Sequence, residues 1–194
     1  MTQTLYQSVR QAQLTALSTA YGAAAQIVIG GGTMPTDCDT AFASNSVIVA
    51  LPMTATTPFG APTAAKPSVM TAAAITAVNA YSTTTATFFR SYAQGTAGIT
   101  GSSFVVGNMY MVQAIGTSTL ANFQSIGLNA SIAALAVGQM FIATATTLTG
   151  SGTAYLMNPV EQGTVGTSGA DLNLNTTAIV AGGPVSITSF TRSY

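Results

Sequence analysis

Charged side chains are almost missing from this sequence, and that shortage limits the surfaces the folded chain can present. Its 194 residues include four basic residues, four acidic residues and no histidine, so 4% of the chain is charged, whereas about 25% is typical of soluble domains. Apolar residues make up 48%, which is enough for a core and excludes a disordered polar tract. The surface must therefore consist of uncharged residues, and with a formal net charge of zero it favours side-by-side packing of many copies.

The same shortage argues against enzymatic function. General acid–base catalysis needs a group that titrates near the working pH, most often a histidine. The charged residues and the single cysteine lie far apart in sequence, except around Cys38: Arg10, Asp37, Cys38, Asp39, Lys66, Arg90, Glu161, Asp171 and Arg192. We predict no catalytic residue, no cofactor and no metal site. No basic stripe is present, so no nucleic-acid partner is expected.

Membrane insertion and export are not expected either. The longest apolar runs, such as residues 27–32 and 130–137, are far shorter than the ~20 residues that a spanning helix requires. The first 22 residues carry polar side chains at every second or third position and lack the apolar core of a signal peptide. A single cysteine rules out an internal disulfide. These features predict a protein that is made and kept in a cytosol.

One helix is predicted, over residues 2–21, and Gly22 is placed to end it. Its predicted apolar stripe recurs every three or four residues, at Leu5, Val9, Ala12, Ala16 and Ala20. Three larger side chains widen the stripe: Leu14, Leu17 and Tyr21. The polar side of this helix is uncharged apart from Arg10. It suits either contact with a partner or packing across the sheet of its own domain, and the second is favoured.

Beyond Gly22 the sequence has the pattern of a mainly β protein. Short runs rich in β-branched and aromatic residues alternate with Gly, Pro and Asn clusters, over residues 25–30, 45–53, 68–78, 80–94, 109–115, 139–147, 154–158 and 184–190. Many short strands at this spacing predict a sandwich or jelly-roll-like core.

Residues 96–152 are predicted to be an inserted small β module. Gly/Thr/Ser tracts bound this stretch on both sides, and long additions at a hairpin tip cost little stability. The remaining residues, 1–95 and 153–194, would form the β core domain. If this division is right, residues 83–94 and 154–164 pair antiparallel as one hairpin.

Two segments carry a resemblance to known proteins. The C-terminal motif GTVGTSGADLNLN, residues 163–175, resembles the end of a family of small tailed-bacteriophage virion proteins, and TATFFRSYAQG, residues 85–95, fits the same pattern. The insert is similar to a β module common in phage structural proteins, through GNMYMVQAIGT, NFQSIG, VGQMFIATAT and TGSGTAY. It departs from that module in having LNASIAALA where a short polar turn is usual.

The resemblance implies a non-enzymatic structural component of a virion assembled in the host cytoplasm. The leading interpretation is a capsid decoration or cement protein that stabilises the head shell, with the major capsid protein, copies of itself and other virion proteins as partners. Strand edges would then pair between copies. The alternatives are a tail, collar or fibre component with the insert as an adhesion module, a lectin-like domain, and, remotely, an enzyme whose cleft gathers at least two charged groups.

Several local features have a functional and a structural interpretation. Asp37 and Asp39 could supply two oxygen ligands to Ca²⁺, which needs six to eight, but an Asx-type turn is favoured. Cys38 lacks a histidine to activate it, so an inert thiol is expected. The glycines at residues 30–32 lack the Lys-Ser/Thr and helix of a phosphate loop and predict a turn.

Near the C-terminus, Asp171 is expected to accept main-chain hydrogen bonds in a turn, with Asn173 and Asn175 on one face of the following strand. Aromatic residues at predicted strand positions are expected to be core residues rather than a carbohydrate platform: Phe88, Phe89, Tyr92, Tyr110, Phe123 and Phe141. Tyr194 is a candidate anchor to a neighbouring subunit.

Overall fold

The N-terminal helix forms over a shorter range than predicted. In the computed structural model, which describes residues 5–42, 46–53 and 57–194, helix α1 spans Gln7–Tyr21 and ends at Gly22, whose φ is 67°. A positive φ is easily adopted by glycine, so Gly22 stops the helix as predicted. Residues 2–4 of the predicted helix lie outside the described residues.

The buried face of α1 differs from the predicted stripe. Arg10, Leu14 and Tyr21 are buried, whereas the stripe residues Val9, Ala12, Ala16 and Ala20 are exposed. The prediction was right for Leu14 and Tyr21, which belong to the predicted stripe, and wrong for Arg10 and for the four exposed stripe residues. Small alanines bury little apolar area, so the larger side chains meet the sheet.

The described residues also form thirteen strands and a second helix. The strands are β1 Gln26–Gly31, β2 Ser46–Pro52, β3 Val69–Thr71, β4 Val78–Asn79, β5 Thr84–Thr85, β6 Phe88–Thr100, β7 Met109–Ala114, β8 Met140–Ile142, β9 Thr153–Gly166, β10 Leu172–Leu174, β11 Ala178–Ile179, β12 Pro184–Val185 and β13 Ile187–Ser193, and helix α2 is Leu120–Ser125. Of the predicted strand at residues 45–53, Asn45 lies outside the described residues.

The predicted mainly β class with an N-terminal helix is confirmed. Nine strands form one curled sheet, a half-barrel, in the order β2-β1-β6-β9-β10-β13-β3, with β7 beside β9 and β8 beside β7. Two further pairs, β11–β5 and β12–β4, form small separate sheets.

The longest hairpin lies where the sequence predicted it. Strands β6 and β9 pair antiparallel from Phe88 opposite Thr164 to Thr100 opposite Thr153. The pairing starts later than predicted, because residues 84–85 join β11 instead, and it extends to Thr100 with a register shift between Gln94 and Gly98. Strand β7 pairs with β9 in the same sheet. The division into a core domain and an insert stays a prediction.

Both faces of the sheet are covered. On one face a core cluster includes Leu14 and Tyr21 of α1. On the other face, Phe42 and three methionines from β7 and β8, Met109, Met111 and Met140, pack in a second cluster with residues such as Val28 and Phe88. Strand β1 alternates between the two clusters and is buried along its whole length.

The third cluster belongs mostly to the insert, and it contains a helix that the sequence analysis missed. Phe123 lies on α2 rather than on a strand and is buried in this cluster. Thr119 and Asn122 form a reciprocal capping box at the start of α2, with N···O distances of 2.8 and 3.3 Å. Two orphan amides are satisfied in this way, which favours a helix where the alternating pattern suggested a strand.

The predicted glycine turn begins later than expected. Gly30 and Gly31 belong to β1, and only Gly32, with φ 89°, leaves the strand. A Cβ atom at Gly30 would lie 2.3 Å from the Phe88 ring. Gly30 therefore allows the large Phe88 ring to pack directly on the strand. The turn prediction was wrong for Gly30 and Gly31, which lie in β1.

Two of the three end strands of the sheet, β2 and β3, each bond to another part of the chain. At β2, the amide of Tyr81 donates to Ile48 O at 2.7 Å. At β3, the amides of Gly60 and Thr63 donate to Thr71 O and Val69 O at 2.9 and 2.8 Å. Pairing of these two edges between copies would require these segments to move. Edge pairing between copies stays a prediction.

Candidate functional site

A buried arginine organises the loop that carries the two predicted aspartates. Arg90 lies on β6 opposite Gln162 of β9, and its side chain is 2% exposed. Its guanidinium donates to Gln162 Oε1 at 2.6 and 3.1 Å, to Thr40 O at 2.7 Å and to Asp37 O at 2.8 Å. Because every one of these acceptors is neutral, Arg90 holds the loop rather than pairing with a carboxylate.

Neighbouring groups complete this loop clamp, which we define as Arg90, Gln162 and the loop carbonyls that they hold. Gln162 Nε2 donates to Pro35 O at 2.7 Å, and the Phe42 ring lies 4.8 Å from the Arg90 guanidinium carbon. A cation over an aromatic face is favourable, especially away from water. Hydrogen bonds to Pro35 O, Asp37 O and Thr40 O thus fix the main chain of the loop of residues 32–42.

The Asx-type turn predicted at Asp37 is confirmed. Asp37 Oδ1 accepts hydrogen bonds from the amide and the hydroxyl of Thr40, both at 2.7 Å. These bonds, led by the one from the Thr40 hydroxyl, lower the pKa of the Asp37 carboxyl. Within the described ranges no three His, Cys, Asp or Glu side chains come together as a metal site would require.

A small cavity of about 140 Å³ lies between this loop and the insert. Its lining includes Cys38, Asp39, Arg90, Tyr92 and Asn158. Burial raises the pKa of the Cys38 thiol and raises that of Tyr92 to about 12. Two charged groups do meet here, as the enzyme alternative requires, but a thiol with a raised pKa is a poor nucleophile at neutral pH.

A second polar cluster joins α1 to strands β9 and β13. Glu161 accepts a hydrogen bond from Arg192 Nε at 2.7 Å and another from the Tyr21 hydroxyl. The Arg192 guanidinium also lies 4.3 Å from the Phe190 ring. Burial, followed by the charge of Glu161, raises the pKa of Tyr21. This arrangement ties the helix, β9 and β13 together.

The role predicted for Asp171 is confirmed, with a more distant partner than expected. Asp171 Oδ2 accepts from the amide and the hydroxyl of Thr164, both at 2.8 Å. These bonds connect β9 to the start of β10, which run parallel. Asn173 and Asn175 alternate with the buried Leu172 and Leu174, so they share the outer face.

The aromatic residues predicted to be core are all buried: Phe88, Phe89, Tyr92, Tyr110, Phe123 and Phe141. Tyr194 is exposed, and its main chain exchanges hydrogen bonds with Ser68 at 3.0 and 3.1 Å.

Sequence reasoning missed the loop clamp. Arg90 follows Phe88 and Phe89 in an otherwise apolar strand pattern, and a charge in such a run signals a buried group that needs partners. The partners themselves, Asp37 O and Thr40 O, lie about 50 residues away in sequence.

Wider grooves lie at two other places on the molecule. One, of about 520 Å³, runs between α1 and residues 57–62 and is lined by uncharged residues. The other, of about 380 Å³, lies between β2 and the insert turn at residues 137–139. Neither of the described helices is both long and apolar enough to cross a membrane.

Comparison with protein-family models, with curated proteins and with solved structures finds no match to this chain.

Proposed function

We propose that this protein is a non-enzymatic structural component of a bacteriophage virion, and specifically a capsid decoration or cement protein that stabilises the head shell. One observation carries the proposal. Arg10 and Arg90 are buried and Arg192 is half-buried, so the exposed charged side chains among the described residues are Lys66, Asp37, Asp39 and Asp171. A surface with so little charge suits extensive coverage by neighbouring subunits.

The proposed mechanism is burial of this uncharged surface across subunit joints. Covering Thr, Ser and Ala costs less desolvation than covering charged groups. Many weak contacts then add up to firm attachment by multivalency. The partners in this proposal are the major capsid protein, further copies of this chain and other virion proteins, with assembly in the host cytoplasm.

A tail, collar or fibre component is the second candidate. It is favoured by the insert, which has its own aromatic cluster and exposes three apolar side chains, Val105, Val106 and Val137. Exposed apolar residues on a module with its own core suit an adhesion role.

The test is to locate the protein on intact virions, by cryo-EM reconstruction or with gold-labelled antibody against residues 100–150. Label spread regularly over the head is the expected result. Label confined to the tail or to one vertex would replace the decoration role by the second candidate. Absence from purified particles would overturn both.

A further inference from the structure

One end of the molecule exposes two tyrosines, a valine and a lysine. Tyr6, Tyr194 and Val9 are 79%, 52% and 43% exposed. Lys66 is the only exposed cationic side chain among the residues that the structure describes. We call these four residues the tyrosine–lysine surface.

Hydrogen bonds bring these residues together from three distant parts of the chain. Arg10 donates to Leu5 O, next to Tyr6, and to Ala65 O at 3.2 Å, next to Lys66. The Ser68 hydroxyl donates to the same Ala65 O at 3.1 Å, and Ser68 pairs with the main chain of Tyr194. The main chain next to Tyr6 and Lys66 and that of Tyr194 are therefore fixed before any partner binds, which lowers the entropy cost of association.

The chemistry of this surface defines the partner it fits. Exposed tyrosines are typical contact residues in protein interfaces, and an acidic surface is the electrostatic complement of a lysine. Three carboxylates are exposed among the described residues, Asp37, Asp39 and Asp171. Asp37 and Asp171 each accept two hydrogen bonds from a threonine, so hydrogen bonding does not separate them. Asp37 and Asp39 concentrate two negative charges on the loop of residues 33–41, which we call the acidic loop.

The acidic loop has two further properties of a contact surface. It exposes Met34, and the loop clamp fixes its main chain. It also lies on the other side of the sheet from α1, because Phe42 at its end packs in the cluster opposite to that of Leu14.

We propose that the tyrosine–lysine surface of one copy binds the acidic loop of a second copy. This inference rests on the proposed structural role and names the contact between copies. Because the two surfaces are different and lie on opposite sides of the sheet, the contact is head-to-tail and repeats from copy to copy as a ring or an open array. A single contact is weak, since exposed ion pairs contribute little, and it strengthens with copy number.

A charge-exchange experiment on the purified full chain tests the proposal. Lys66→Glu places a negative charge opposite the acidic loop. Asp37→Asn combined with Asp39→Lys makes the loop positive, and Asn keeps an acceptor for Thr40. In sedimentation velocity at low salt over a concentration series, the native chain is expected to associate and each variant alone to associate at least about fivefold more weakly.

An equimolar mixture of the two variants is expected to restore association, because position 66 of each then meets a loop of opposite charge on the other. Thr167→Glu, an exposed residue on a different turn, is the matched control and should associate like the native chain. A native chain that stays monomeric, variants that associate normally, or a mixture that fails to recover would each overturn the proposal.

These outcomes are distinguishable from failure of the proposed function. Association that follows the charges while the protein is absent from virions would retain the contact and overturn the structural role. Regular label on the head without charge-dependent association would retain the structural role and overturn the contact between copies.

Discussion

Each of the three arginines donates hydrogen bonds to main-chain carbonyl oxygens. The acceptors are Leu5 O and Ala65 O for Arg10, Asp37 O and Thr40 O for Arg90, and Asp171 O and Thr191 O for Arg192. A guanidinium removed from water is costly unless its N–H groups are bonded, and carbonyls of irregular loops need donors. These residues thus fix loops and leave the surface nearly uncharged.

Replacing Arg90 by Ala should destabilise the protein more than any exposed charge substitution. Asp37 O, Thr40 O and Gln162 Oε1 lose their donor, and we expect the free energy of unfolding in urea to fall by about 2–4 kcal/mol. Amide exchange in the acidic loop should also become faster.

The matched control is Lys66→Ala, which removes an exposed cation and should change the free energy of unfolding by less than about 0.5 kcal/mol. Equal effects of the two substitutions would show that the clamp contributes nothing to folding stability.

Packing between elements depends on close contacts that only particular residues permit. Gly30 of β1 lies directly under the ring of Phe88 on β6, and the two residues are cross-strand partners. A methyl group at this position has no space unless the ring moves.

Gly30→Ala should therefore lower the free energy of unfolding by about 1–3 kcal/mol through overpacking. Gly60→Ala is the matched control, because its Cβ would meet only Thr71 O, at 3.7 Å. Urea denaturation of both variants measures the difference. A Gly30 variant as stable as the Gly60 variant would contradict the packing argument.

The insert contributes more to the core than a hairpin tip would. Its Met109, Met111 and Met140 cover the sheet face that carries Val28 and Phe88. If residues 101–152 are replaced by an Asn-Gly turn between Thr100 and Thr153, which lie opposite each other, that face is left open.

We expect this excision to lower the free energy of unfolding by at least about 3 kcal/mol, because several large apolar side chains lose their cover. Urea denaturation and binding of an apolar dye measure the loss. Unchanged stability without dye binding would mean that the insert is independent of the core and would support the predicted domain division.

For the whole molecule, the distribution of titratable groups predicts a wide pH range of constant stability. The pKa values of Asp37 and Asp171 are lowered, chiefly by hydrogen bonds from Thr40 and Thr164, and burial raises that of Tyr21. A lowered carboxyl pKa contributes stability above its ordinary value of 3.8, and this stability is lost as the pH falls through the folded value.

A raised phenol pKa acts in the opposite direction. Its contribution is complete below the ordinary value of 10.0 and declines as the pH rises above it. With no histidine in the chain, the urea midpoint should be constant between about pH 5 and 9 and fall on both sides. Tyr21→Phe should reduce the alkaline loss, and a midpoint that changes steeply near pH 6.5 would contradict this account.

Properties that depend on local pattern followed from the sequence. Alternating apolar residues between turn residues predicted the β class. The position of Gly22 predicted the end of α1, and the side chain of Asp37 predicted an Asx-type turn. The pairing of β6 with β9 was also predicted, on the premise that residues 96–152 are inserted between two paired segments.

Properties that depend on distant partners required the tertiary structure. The sequence placed Val9 and Ala12 on the buried side of α1 and Arg10 on its polar side, whereas the position of the sheet buries Arg10 and leaves Val9 and Ala12 exposed. It gave no means of joining Arg90 to Asp37 O and Thr40 O, or Tyr6 to Lys66 and Tyr194. Hydrophobic periodicity reports only whether a residue can be buried, while the packing of whole elements decides which side faces the core and which loop reaches a buried donor.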